Sequence, residues 1–281
     1  HGVGSLGDRT KAHPGSLTID ALLTHAGYSP VMQVSCRDRN RIALQADLLG
    51  AHALGLRNVL CLTGDPVRAG DQPGARPVNE LEAVRLLQLV AQLNAGIDPV
   101  AGELPDGATA LFAGAAADPQ SPSWSGLKSR VGRKQAAGAR FLQTQMVTDR
   151  AALERFVGEI AGPLGIPVLA GIFLLKSANN AVFVNRVVPG ANIPQGIIDR
   201  LAAAANPADE GISIAAEQVA ARISWMMDHV AAQNADLAVA IHRNDIDRDL
   251  ERVDHGVILA VEAFGIGNGD DRGGTPAYHA F

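Results

Sequence analysis

Short apolar runs of strand length recur along this chain, and stretches with helical periodicity separate them. Successive runs begin about 30 residues apart in the simplest units, the length of a βαβ repeat. The runs are 31–36 (VMQVSC), 58–62 (NVLCL), 108–115 (ATALFAGA), 139–145 (ARFLQTQ), 167–174 (PVLAGIFL), 236–241 (DLAVAI) and 257–263 (VILAVEA), with 2–6 a weaker eighth. Between them, 39–54 is predicted to present Ile42, Ala46, Leu49 and Ala53 on one helical face. A similar stripe is expected in 212–230, formed by Ile212, Ala216, Val219, Ile223, Met226 and Val230. Lone glycines precede several strands (Gly27, Gly55, Gly138, Gly165), as expected where a helix ends and feeds a short turn. Eight such units make a (β/α)8 TIM barrel, whose usual length of about 250 residues suits this chain. The predicted architecture is α/β, a single barrel over 1–264 followed by a Gly-rich tail at 265–281.

Composition agrees with that architecture. Hydrophobic residues make up 47% of the chain but aromatics only 4%, so the core must be built from Ala, Val, Leu and Ile. Such a core suits helices packed on a buried parallel sheet. The formal charge of −5 has no basic block behind it, which argues against nucleic acid or an anionic membrane as partner. No apolar run reaches the roughly 18 residues of a membrane span, and no secretory signal opens the chain. Cys36 and Cys61 lie in strand-like runs and read as reduced core thiols, which makes the expected location cytoplasmic. An oligomer is left open.

In a barrel, chemistry sits where strands end. The run Asn58–Leu62 stops at Thr63-Gly64-Asp65-Pro66, which lifts the Asp65 carboxylate onto the rim; the competing reading is an ordinary turn aspartate. Gln143 and Gln145 alternate in "FLQTQ", so both are expected on one side of the sheet. An amide has little purpose in a dry core, and two of them suggest a polar ligand at the barrel mouth. Lys134, near a helix end, is either a solvated lysine or an anion contact. The polar, Pro/Gly-rich segments 68–78 and 116–126 follow strands and read as loops over the same rim. No metal-ligand spacing, Walker loop or strand-linked GxGxxG is present.

The string "CRDRNRIALQADLLGAHALGLRNVLCLTGDP" resembles the methylenetetrahydrofolate reductase family, particularly the branch fused to homocysteine methyltransferases. The likeness continues through "FAGAAADP", "RKQAAGARFLQTQ", "VLAGIFLLKSANNAVFVNRVVPGANIP" and "EGISIAAE", so it covers roughly Pro30 to Gln218. It implies a flavin-bearing barrel that reduces 5,10-methylenetetrahydrofolate to 5-methyltetrahydrofolate. Hydride from NAD(P)H would pass through the flavin, with FAD ahead of FMN. By this resemblance, Asp65 and Gln145 grip the pterin, with Gln143 beside them. Gln33, Thr63 and Gly64 fall where the family holds the flavin, and Lys134 matches a lysine that approaches the cofactor phosphate.

By this resemblance the chain is expected to depart from the family at its start, without the family's first strand and the general-acid glutamate it carries. The run 257–263 is the candidate replacement, and its Glu262, in "VEAF", resembles the missing acid in setting. Two placements are open. Either 236–241 is the eighth strand and 257–263 lies beside it in the first strand's slot, or 257–263 is itself the eighth strand. A chain without the acid would be a related barrel that binds folate or flavin but is catalytically altered, or that uses another donor such as a deazaflavin.

Overall fold

The computed structural model describes residues 15–69, 73–147, 149–187, 191–218 and 257–262. Its centre is a six-stranded parallel sheet. The strands are β1 (Val31–Ser35), β2 (Asn58–Leu62), β5 (Phe112–Ala117), β6 (Phe141–Met146), β7 (Val168–Phe173) and β8 (Val257–Glu262), hydrogen-bonded in that order. A two-stranded antiparallel pair, β3 (Ile97–Asp98) and β4 (Gly102–Glu103), stands apart from it. The helices are α1 (Ser16–His25), α2 (Arg41–Ala53), α3 (Ala83–Asn94), α4 (Trp124–Ala136), α5 (Arg150–Phe156), α6 (Ala178–Val187) and α7 (Gln195–Ala203). A π-helical turn, Val157–Ala161, continues α5, and 207–218 are also helical. No helix among the described residues is long and apolar enough to cross a membrane.

Strand alternation divides the sheet into two faces of different character. Met32, Val34, Val59, Cys61, Ala113, Ala115, Leu142 and Val168 share a core with Leu44 and Leu48 of α2, Leu86 and Val90 of α3, and Leu127 and Val131 of α4. This is the helix-covered face, and each fully buried Leu or Val there contributes about 1.5–3 kcal/mol. On the opposite face, Val31, Leu60, Leu62, Phe112, Phe141 and Leu169 form a smaller cluster. Phe112 and Phe141 stack with ring centroids 5.6 Å apart, and the Arg140 guanidinium lies 4.4 Å from the Phe112 centroid. A Cβ at Gly114 would collide with the Phe141 ring, so that glycine is what lets the ring lie across β5.

The elements start and stop where local chemistry directs. Asn40 caps α2 by accepting from Ala43 N at 3.0 Å, Ser123 caps α4 through Gly126 N, and Asp149 caps α5 through Ala151 N at 2.9 Å. Gly27, Gly55 and Gly138 each follow a helix C-cap with positive φ, as expected; Gly165 also has positive φ but lies in the turn after the π-helical turn, whose cap is Gly162.

Several expectations are corrected. The buried face of α2 is Leu44, Leu48 and Ala51, while Ile42 is 75% exposed. In 207–218 the buried residues are Gly211, Ile214 and Ala215, and Ile212 faces out. Gly211 sets that phase, because its backbone packs so closely on the Leu175 carbonyl that no Cβ would fit. The third long strand begins at Phe112, not at 108. Residues 109–111 are held by the end of α3, where Asn94 Nδ2 donates to Leu111 O at 2.7 Å and Asn94 Oδ1 accepts from Leu111 N at 2.9 Å. Within the supposed loop 116–126, residues 116–117 belong to β5 and 124–126 to α4. The strand on the free side of β7 is 257–262, paired in parallel at six positions from Val168↔Val257 to Phe173↔Glu262. That ladder occupies the edge where 236–241 was the first-named candidate. Residues 2–6, 236–241 and 265–281 lie outside the described residues.

Candidate active site

The face opposite the helices changes from apolar to polar towards the C-terminal ends of its strands. On β1, Gln33 and Ser35 follow Val31 at alternate positions and share its face; they are 8% and 1% exposed. On β6, Gln143 follows Phe141 in the same way and is 1% exposed. The register sets Gln33 against Leu60, and sets Gln143 between Ala116 and Leu169. Beside them the Phe141 ring covers Gly114, and the small side chain of Ala116 stands next to Gln143. Gln33 Nε2 is buried and finds no hydrogen-bond acceptor among the described residues. Burying such a donor costs about 1–3 kcal/mol unless something accepts from it.

Past the end of β2 the chain turns sharply against β1. Gly64 has φ +90°, and a Cβ there would strike Ser35 Oγ and lie 2.7 Å from Arg37 Cβ. Ser35 Oγ in turn accepts from Arg37 N at 3.3 Å. Only glycine therefore gives a backbone this close to β1, and the turn delivers Asp65, half-buried, at the C-terminal end of the sheet. Thr63 opens this turn, directly after β2. It is exposed, and its hydroxyl accepts from Ala83 N at 3.1 Å, which anchors the start of α3.

Lys134 reaches from α4 to the penultimate residue of β5, where Nζ donates to Ala116 O at 2.7 Å. Its ammonium therefore sits at the C-terminal end of β5. Burial, and secondarily the Arg130 charge, lower its pKa, which marks a half-buried cation that an anion would stabilise. Beside β1, the 6%-exposed Arg37 grips Asp38 in a two-point pair, Nε to Oδ1 at 2.7 Å and Nη2 to Oδ2 at 2.6 Å. The Arg37 carbonyl accepts from Val78 N at 2.7 Å, tying the end of the segment 68–78 to the chain just after β1. Cys36 and Cys61 are buried, reduced thiols; burial and the neighbouring Cys36 push the Cys61 thiol up, so it stays protonated.

Alternation does not carry from Gln143 to Gln145 as expected. Gln143 pairs with Leu169 but Met146 pairs with Gly171, so β6 holds one extra residue between them. Gln145 is half-buried and lies inside this bulge. Glu262 ends β8 opposite Phe173, four residues along the register from the position paired with Leu169. The structure thus gathers Gln33, Gly64, Asp65, Gln143 and Gln145 at one end of the sheet, with Lys134 at the end of β5. Glu262 is placed there by register. Sequence reasoning missed Ser35, whose spacing of two from Gln33 was a usable signal. It also missed Thr144, for which strict alternation gives none.

The sequence model of the methylenetetrahydrofolate reductase family matches residues 3–241. Among solved structures, similarity extends to an uncharacterized protein from Clostridium thermocellum that binds two copies of 5-methyl-5,6,7,8-tetrahydrofolic acid. The two are 12% identical with a TM-score of 0.41, over 90% of this chain and 94% of that one. The match over 3–241 spans most of the 281 residues, and the chain belongs to the methylenetetrahydrofolate reductase family.

Proposed function

We propose that this protein reduces 5,10-methylenetetrahydrofolate to 5-methyltetrahydrofolate, using NAD(P)H through a bound flavin, FAD in preference to FMN. The observation that carries the reading is the family match over residues 3–241. The fold we infer is a closed barrel over 1–264, supported by six parallel strands in chain order. The residues present fit a flavin. Gln33 Nε2 offers a buried donor lacking an acceptor, Gly64 leaves a cradle that a Cβ would fill, and Lys134 supplies a cation. When bound, a flavin supplies a carrier that accepts hydride from a nicotinamide and returns it to the folate.

The chain's own residues do the rest. Gln33 would donate to an acceptor on the cofactor ring, Thr63 and Gly64 would help hold it, and Lys134 would meet its phosphate. Asp65 is a fixed acceptor for the paired N–H groups of the pterin's aminopyrimidinone edge. Gln145 hydrogen-bonds the same ring, and Gln143 lines the floor beside it. Glu262 is the general acid that donates a proton to the bridge nitrogen as the methylene bridge opens.

Gln145→Ala tests the assignment by separating the two half-reactions. Deleting one or two neutral hydrogen bonds, worth about 1 kcal/mol each, should weaken folate binding roughly 5- to 30-fold. Reduction of the flavin by NAD(P)H should be spared. Equal damage to both half-reactions would contradict the role given to Gln145.

A further inference from the structure

The bulge in β6 is closed by a side chain. Thr144 and Gln145 together stand opposite Ala170, because the register passes from Gln143↔Leu169 to Met146↔Gly171. An extra residue interrupts the ladder and leaves backbone groups without their regular partners. Here the Thr144 hydroxyl, in a residue 1% exposed, takes up both sides of the gap. Its Oγ1 accepts from Gly171 N at 2.9 Å and donates to Gln145 O at 2.7 Å. The regular ladder resumes immediately afterwards, with Val147 N donating to Gly171 O at 3.1 Å. The two strands approach closely at this point: a Cβ on Gly171 would lie 3.0 Å from Gln145 O and 3.1 Å from Thr144 O. One hydroxyl therefore ties the carbonyl of Gln145 to Gly171 of β7 across the bulge.

We propose that Thr144 is a positioning residue: by bridging Gly171 N and Gln145 O across the β6 bulge, its hydroxyl sets the direction from which Gln145 meets the folate. This rests on the reading of Gln145 as a folate contact. In an extended strand the ladder to β7 would fix the direction of Gln145; at the bulge the Thr144 hydroxyl holds its carbonyl on that side. Serine keeps that hold and valine, with nearly the same shape, removes it.

The test compares Thr144→Val, Thr144→Ser, Gln145→Ala and the double variant Thr144→Val/Gln145→Ala in the full flavin-loaded protein. Dissociation constants for 5-methyltetrahydrofolate and rates of flavin reduction by NAD(P)H are read in parallel. Thr144→Val should weaken folate binding about 10-fold and leave flavin reduction unchanged. Thr144→Ser should bind within about 2-fold of the wild type, and the double variant no more weakly than Gln145→Ala alone, since the two act as one unit. Should the valine variant fail to fold, Thr144→Ala against Thr144→Ser asks the same question, because those two differ only in the hydroxyl. If Gln145→Ala weakens folate binding while the variants lacking the hydroxyl do not, the positioning role is overturned and the folate contact stands. Additive losses in the double variant, or a serine variant as weak as valine, also overturn it. If Gln145→Ala itself binds folate normally, the folate contact falls and takes the positioning role with it.

Discussion

Asp65 owes its position to a glycine. The turn after β2 exists only because Gly64 takes φ +90° with its backbone pressed on Ser35 and Arg37. The sequence "LTGDP" made Asp65 legible as a rim residue, since an apolar strand stopping at Thr-Gly-Asp lifts the carboxylate out of the core, though spacing alone could not separate it from an ordinary turn aspartate. Asp65→Asn should leave unfolding free energy within about 0.5 kcal/mol of the wild type. Its turnover with methylenetetrahydrofolate should fall roughly 10- to 100-fold, because hydrogen bonds to a charged group are the stronger kind. Steady-state assays with a parallel denaturant titration check both parts, and an unchanged rate would remove Asp65 from the site. Asp20 carries a different cost. It is the buried residue of α1, 5% exposed, and burial pushes its carboxyl up to about 6. The folded state therefore binds this proton more tightly than the unfolded chain, and stability is lost as pH rises from about 4 through 6. Asp20→Asn should match the wild type below pH ~4 and exceed it above pH ~6, by at most about 3 kcal/mol. Unfolding curves at both ends of that window decide it.

Elements were easier to find than to orient. Helix ends were legible because Gly27, Gly55 and Gly138 are needed for a left-handed turn whatever the tertiary packing. Helix faces were not, because α2 carries Leu and Ala on more than one side. The stripe through Leu44 and Leu48 wins by burying two leucines against Val34 and Cys36, and Ile42 is left outside. The start of β5 was misread for a related reason. An apolar run cannot reveal that Asn94, seventeen residues before Leu111, will claim its backbone groups. The β6 bulge is invisible to alternation by its nature, since it is a departure from period two. Gly171 is what admits it. Gly171→Ala would press a methyl against the carbonyls of Thr144 and Gln145, at a cost of about 1–3 kcal/mol. Thermal unfolding should show the loss, and an unaltered Tm would mean that the two strands have room to separate there.

At the scale of the whole molecule, the parallel sheet was legible from spacing alone, and its strand order follows the chain order. The last strand was found and its two placements were left open, because spacing says nothing of how far a chain travels before it returns to the sheet; it is the placement beside β7 that the structure has. Val257–Glu262 pairs directly with β7, and this brings Glu262 to the C-terminal end of the sheet, opposite Phe173. If Glu262 is the acid, Glu262→Gln should retain flavin and its reduction by NAD(P)H, yet reduce methylenetetrahydrofolate about 100-fold more slowly. Full turnover in that variant would leave the proton donor to be sought elsewhere. The central claim, a flavin-dependent folate reduction, is tested most directly by following the visible flavin band of the wild-type protein without oxygen. NAD(P)H should bleach the band, and methylenetetrahydrofolate added next should restore it while 5-methyltetrahydrofolate accumulates in equal amount. A protein that takes up no flavin on reconstitution, or whose bleached band is not restored by the folate, would contradict the account.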